Sequence, residues 1–187
     1  MLFNEESRVI GRRVVLTGLG IISPLGLNVN DTWEAVLNGR SGAKPITNFD
    51  VSNYSTKFSA SVAGFDPANY FDAKEARKMD SFIQYGMVAG IEAVEDSGLL
   101  ESITDLSRVG VAIGSGIGGI GQIEKNRDLL LSSGPRKISP FFVPGSIINM
   151  VSGNLSIKYG FEGPNLSVVT ACASGTHTVG LGARLIC

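Results

Sequence analysis

Cysteine is nearly absent, since Cys172 and Cys187 are the only two in 187 residues. Two are far too few for a disulfide scaffold. Histidine is scarcer still, with His177 alone. No apolar run reaches 18 residues, so no transmembrane helix and no membrane partner are expected. An excess of charge is also missing: 16 Lys and Arg stand against 17 Asp and Glu, for a net charge of −1. A nucleic-acid binder carries a strongly basic footprint, so no nucleic-acid partner is expected. The opening MLFNEESRVIGRR has two glutamates and no apolar centre. It reads as neither a signal peptide nor an acid-poor transit peptide, and the expected location is cytoplasmic. No short repeat is visible, and 43% of residues are hydrophobic, which excludes fibrous and disordered chains. The length suits one ordinary domain or part of a larger one. Glycine, by contrast, is abundant, with 24 residues, about twice the usual ~7%. The glycines cluster between apolar runs, which points to close backbone packing.

The apolar patterns alternate between strand-like and helix-like. Arg13 to Gly18 (RVVLTG), Val109 to Gly114 (VGVAIG) and Leu166 to Thr170 (LSVVT) are short β-branched runs expected as buried strands. Asp31 with Glu34 resembles a capping box before a short helix, with Trp33, Val36 and Leu37 on one face and Gly39 as its stop. Residues 40–72 have no clear period and are expected to be loops with a short hairpin. Asp80 is expected to cap a helix over 81–96 that presents Phe82, Tyr85, Val88, Ala89 and Ala93, with Gly98 as its stop. Further helices are expected over 120–131, from just after Pro144 to Tyr159 with Gly160 as cap, and over 173–186. The proline-punctuated stretch 134–144 cannot be a regular helix. Strands alternating with helices imply an α/β fold with a mostly parallel sheet flanked by helices.

The strongest chemical pattern is VVTACASGTHTVG, residues 168–180. A buried strand leads directly into a helix, with Cys172 at the turn. Free N–H groups at a helix start favour a thiolate, and a backbone N–H there can serve an oxyanion hole. The alternative is an inert buried cysteine. A nucleophilic cysteine usually needs a base. His177 lies five residues on, about 140° from the same helix face, so it reads as a packed or hydrogen-bonded helix residue. Gly114-Ser-Gly-Ile-Gly-Gly119 fits a dinucleotide loop in form, but the acid expected about 20 residues later is missing. Close backbone packing, or a glycine floor under a substrate tunnel, is the better reading. Lys74, Arg77 and Lys78 form a basic cluster, as do Arg136 and Lys137. Each is either a solvated surface or a dock for an acidic partner. Ile117, Phe141, Phe142 and Val143 are apolar residues in loop-like settings, either core lids or the lining of an acyl pocket.

TGLGIISPLG, RKMDSFIQYGMVAG, GSGIGGIGQIE, GPRKISPFFVP and VVTACASGTHTVG together resemble the β-ketoacyl-acyl-carrier-protein synthases of type II fatty acid synthesis. The resemblance runs from about Arg12 to Ile186. It implies a thiolase-like fold, in which two similar α/β halves make an αβαβα sandwich active as a homodimer. This chain would supply the N-terminal half only. By resemblance, Cys172 takes an acyl chain from acyl carrier protein, and malonyl-carrier protein then condenses with it after decarboxylation. Ile117 and Val143 fall at acyl-pocket positions, and Lys74, Arg77 and Lys78 match a patch that docks the carrier protein. No metal and no cofactor are implied.

The resemblance also implies a chain about twice as long. The family's catalytic histidines, a structural lysine and a glycine-rich gating loop lie in its second half. Residues 1–11 do not match the family start and read as an extension, leaving 12–187 as an N-terminal synthase domain, incomplete at its C-terminal end. The last helix stops inside its periodic pattern, so a fragment inactive by itself is expected. Two alternatives stay open. One is a short non-catalytic carrier-binding or scaffold paralogue. The other is a related condensing enzyme that prefers acyl-CoA.

Overall fold

The computed structural model describes residues 12–187. The expected extension over residues 1–11 lies outside the described residues. In chain order the elements are α1 (Val29–Leu37), β1 (Lys44–Pro45), β2 (Phe58–Ser59), α2 (Ala73–Ala76), α3 (Ser81–Asp96) and α4 (Leu99–Ser102). They continue with β3 (Val111–Ala112), α5 (Ile120–Ser133), α6 (Phe142–Ser146), α7 (Met150–Tyr159), β4 (Asn165–Leu166) and α8 (Ser174–Ile186). The expected hairpin in the 40–72 stretch is the antiparallel pair β1–β2. The parallel pair is β3–β4, with Val111 opposite Asn165 and Ala112 opposite Leu166. Among the described residues, no helix is long and apolar enough to cross a membrane.

The core forms where α3 crosses α7 beside β3. Ile83, Met87, Val111, Val151, Leu155 and Phe161 are buried together. Gly86 and Gly90, one turn apart on α3, make the crossing possible. A Cβ built on Gly86 would lie 2.5 Å from Val151 Cγ1, and one on Gly90 would lie 3.0 Å from Leu155 Cδ2. The buried stripe of α3 therefore runs through Ile83, Gln84, Met87 and Val88; of the face expected from the pattern, Val88 is buried, while Phe82, Tyr85, Ala89 and Ala93 are partly buried. Asp80 does cap α3, as expected, accepting from the N–H of Phe82 at 3.4 Å. Its second oxygen accepts from the N–H of Gln122 at 2.8 Å. One carboxylate thus serves the first turns of both α3 and α5, where free N–H groups need acceptors. Gly160 ends α7 in the left-handed conformation, φ 70°, which costs glycine little.

Several local expectations are corrected. The run 13–18 is not a buried strand: Val15 and Leu16 are exposed, Leu16 by 81%. A groove of about 340 Å³ lined by Thr17, Gly18, Val111 and Ala112 separates it from β3. Just beyond that run, the N–H groups of Leu19 and Ile21 donate instead to carboxylates on α3, Asp96 at 2.8 Å and Glu92 at 2.9 Å. The cap of α1 is Asn28, whose side chain accepts from the N–H of Asp31 at 2.8 Å. That helix buries Thr32 and Ala35, while Trp33, Val36 and Leu37 face outward. In place of one helix starting just after Pro144 there are two, and α6 begins at Phe142, inside the stretch expected to hold no regular helix. Pro144 sits in the first turn of α6, where its missing N–H would have had no helical partner. The strands at β3 and β4 are shorter than their apolar runs.

Candidate active site

The chain leaves β4 in extended form and reaches a single turn at residues 171–173 before α8 begins. Ile113 ties the approach to β3: its N–H donates to Leu166 O at 3.2 Å, and its carbonyl accepts from Ser167 Oγ at 2.7 Å. Thr170 follows with φ −146° and ψ 44°. Ala171 then takes φ +49°, the one non-glycine residue with positive φ among the described residues. A left-handed alanine costs roughly 1–2 kcal/mol, so its surroundings must hold it there. The N–H of Ala173 donates back to Thr170 O at 3.0 Å. Cys172 sits at the apex, exposed, and its sulfur makes no hydrogen bond among the described residues. Among the described residues, then, Cys172 is not a buried cysteine.

Beneath this turn lies the glycine loop 114–119. A Cβ built on Gly114 would lie 2.6 Å from Thr178 Oγ1, 2.7 Å from Val168 O and 3.1 Å from Ser174 O. One on Gly116 would lie 3.3 Å from Ala171 O. The glycines let one backbone press against another, which is the close-packing reading of this motif. Gly119 donates to Ser146 O at 2.9 Å, so the same loop joins α5 to the end of α6. Ile117 projects from it and is 74% exposed. Val143 is on α6, also largely exposed. The loop thus brings Ile117 within one residue of a contact with the Cys172 turn, whereas Val143 belongs to the neighbouring α6 segment.

The basic cluster is split by its surroundings. Lys74 and Arg77 are exposed, and Arg77 Nε donates to Ala73 O at 2.8 Å. Lys78 is half-buried, with its ammonium 5.3 Å from the centroid of Phe141, a cation–π arrangement. It helps line a cleft of about 410 Å³ with Phe71, Met79, Met87, Phe141 and Met150. The sequence reading did not find this cleft, because its walls come from four separate segments. His177 is exposed on α8, not packed as expected, and no hydrogen bond joins it to Cys172.

Residues 11–186 match the family described as "Beta-ketoacyl synthase, N-terminal domain". The chain belongs to the β-ketoacyl synthases. It is 59% identical over 175 residues to the 3-oxoacyl-[acyl-carrier-protein] synthase 2 of Coxiella burnetii and 54% identical to that of Vibrio cholerae. In both cases 94% of this chain aligns with 42% of the relative. The chain therefore spans about two fifths of the length of these curated relatives. Among solved structures, it is similar to the ishigamide ketosynthase/chain length factor, with TM-score 0.83, 30% identity, and coverage of 94% of this chain and 44% of that one. It also resembles a type II polyketide ketosynthase solved in complex with its acyl-carrier protein and bound to the hexaketide. That match has TM-score 0.72, 27% identity, and coverage of 92% of this chain and 46% of that one. The α/β fold of this β-ketoacyl synthase chain is thus the thiolase-like ketosynthase fold over its N-terminal half.

Two features of the site escaped the sequence reading besides the cleft. Ser174, two residues past Cys172, is buried and bonded to the turn. Asn165 at the start of β4 accepts from Ser152 Oγ at 2.9 Å and donates to Ser152 O at 3.0 Å and Ser156 Oγ at 2.8 Å. That network locks the strand leading to Cys172 against α7. Polar residues this close to an apolar run were the available signal, but serine and asparagine are too common for their pattern to specify partners.

Proposed function

We propose that the protein is a 3-oxoacyl-acyl-carrier-protein synthase of type II fatty acid synthesis, with Cys172 as its nucleophile. The observation that carries this reading is the exposed thiol on a left-handed turn at the head of α8, in a chain more than half identical to two synthases of that name. The sulfur of Cys172 attacks the carbonyl of an acyl thioester on the carrier protein. Negative charge moves to the carbonyl oxygen, and the backbone N–H of Cys172 is the proposed donor to it. The intermediate collapses, the carrier's thiol leaves with the proton, and the acyl group stays on Cys172. A malonyl thioester then loses carbon dioxide. Its α-carbon attacks the Cys172 thioester, which expels the cysteine as a thiolate that takes a proton from water, and gives a 3-oxoacyl chain two carbons longer. Among the described residues His177 makes no contact suited to this second step, so these residues account for the nucleophile and its setting.

Ile117 and Val143 are proposed to line the acyl path, in keeping with their outward apolar side chains. Lys74, Arg77 and Lys78 are proposed to dock the acidic carrier protein, and a homodimer is the proposed assembly. The ketosynthase solved with its carrier protein supports the partnership by analogy. The test uses protein expressed from its complete reading frame, mixed with acyl- and malonyl-carrier protein, with products read by mass spectrometry. A 3-oxoacyl product two carbons longer is expected. Carrier binding without product would favour the scaffold reading, and preference for acyl-CoA would favour the carrier-independent one. In the same assay, Lys78→Glu should weaken carrier binding about three- to tenfold at low salt, and the difference should shrink as salt screens the charges. Unchanged binding at low ionic strength would remove Lys78 from the docking surface.

A further inference from the structure

Ser174 opens α8 and is only 4% exposed. A buried hydroxyl needs both its donor and its acceptor sites used. Here both are used across one turn of chain. Ser174 Oγ accepts from the N–H of Thr170 at 2.9 Å and donates to Ala171 O at 2.7 Å. The two partners flank the left-handed step: Thr170 enters it, and Ala171 carries φ +49°. The sulfur of Cys172 has no hydrogen bond of its own among the described residues, so the backbone of this turn fixes where its side chain starts.

We infer that Ser174 is a positioning residue, whose hydroxyl bridges Thr170 N–H to Ala171 C=O, holds the left-handed turn, and so aims the Cys172 thiol outward. The inference rests on Cys172 being the acyl-accepting nucleophile, yet the geometry bears on any reaction at that sulfur. Because Cys172 is already exposed, relaxing the turn gains no access and loses only the aim. Thr178 provides the contrast. Its hydroxyl is equally buried and donates to Ser174 O at 2.7 Å. That bond closes a turn within α8 and touches neither Thr170 nor Ala171.

The experiment measures alkylation by iodoacetamide in protein expressed from its complete reading frame. The readout is the rate at Cys172 relative to that at Cys187, both resolved by peptide mass spectrometry. Ser174→Ala should lower the ratio about tenfold, the worth of two modest hydrogen bonds. Thr178→Val should leave it within about twofold, although it too removes one buried hydroxyl. Ser174→Thr, which keeps the hydroxyl, should restore most of the ratio. An unchanged ratio in Ser174→Ala, or an equal fall in Thr178→Val, overturns the inference. Should Ser174→Ala not fold, amide hydrogen exchange of Thr170 in the unaltered protein decides. Protection supports the bridge, and exchange at the rate of an open peptide overturns it. If the labelling pattern holds and no 3-oxoacyl product is ever formed, the proposed function fails while the positioning role stands.

Discussion

Cys172→Ala should abolish acyl transfer in protein expressed from its complete reading frame, by at least about 10⁴-fold, while leaving the fold intact. The loss is total in kind because the nearest hydroxyl, Ser174, is buried and bonded to Thr170 and Ala171. Ala171 and Ala173 carry no nucleophile, and Cys187 stands at the far end of α8. The fold should survive because the thiol is exposed and makes no hydrogen bond among the described residues. Surface changes of this type shift stability by no more than about 0.5 kcal/mol. The measurement is the mass of the protein after incubation with acyl-carrier protein. The unaltered protein should gain one acyl group and the variant none, at matching thermal midpoints. An acyl group on the variant would place the nucleophile elsewhere and sink the reading of the turn as the reactive centre.

Local signals were legible in the sequence where one residue decides the outcome. Asp80 caps α3 and Gly160 terminates α7 because a side-chain acceptor and a free left-handed glycine act within a few residues. The local setting of Cys172, a turn opening into a helix of small residues, was legible for the same reason. Features that depend on what packs alongside were not legible. The apolar run at 13–18 has the composition of a buried strand, but burial needs a neighbour, and the described chain sets a groove between it and β3. Likewise Trp33, Val36 and Leu37 share a face of α1, yet the helix turns Thr32 and Ala35 inward. The inward stripe of α3 follows from Gly86 and Gly90 meeting Val151 and Leu155 of α7, partners 65 residues away that periodicity alone does not name. Basic residues 74–78 read as one patch in sequence, but Lys78 leans on Phe141 and the others do not.

The glycine loop and the cysteine turn form one packed unit, and Gly114→Ala tests that unity. The methyl group would arrive 2.6 Å from Thr178 Oγ1 and 2.7 Å from Val168 O, well inside contact distance. Neither neighbour is the free end of a long side chain. Val168 O is backbone on the approach to the turn, and Thr178 is held by its bond to Ser174 O at 2.7 Å. Strain of this kind costs about 1–3 kcal/mol, which lowers the melting temperature of a domain this size by roughly 2–12 °C. Relief by moving the segment after β4 away from the loop, or by tilting α8, carries Cys172 with it. Gly114→Ala should therefore lose Cys172 alkylation together with stability. Gly175 separates this effect from a general intolerance of change near the cysteine. A Cβ there meets nothing within 4 Å among the described residues, and alanine suits a helix better by about 0.5–1 kcal/mol. Gly175→Ala should hold or raise the melting temperature and keep the labelling rate. If Gly114→Ala melts and labels like the unaltered protein, the loop does not brace the turn, and the aim of Cys172 must come from α8 and Ser174 alone.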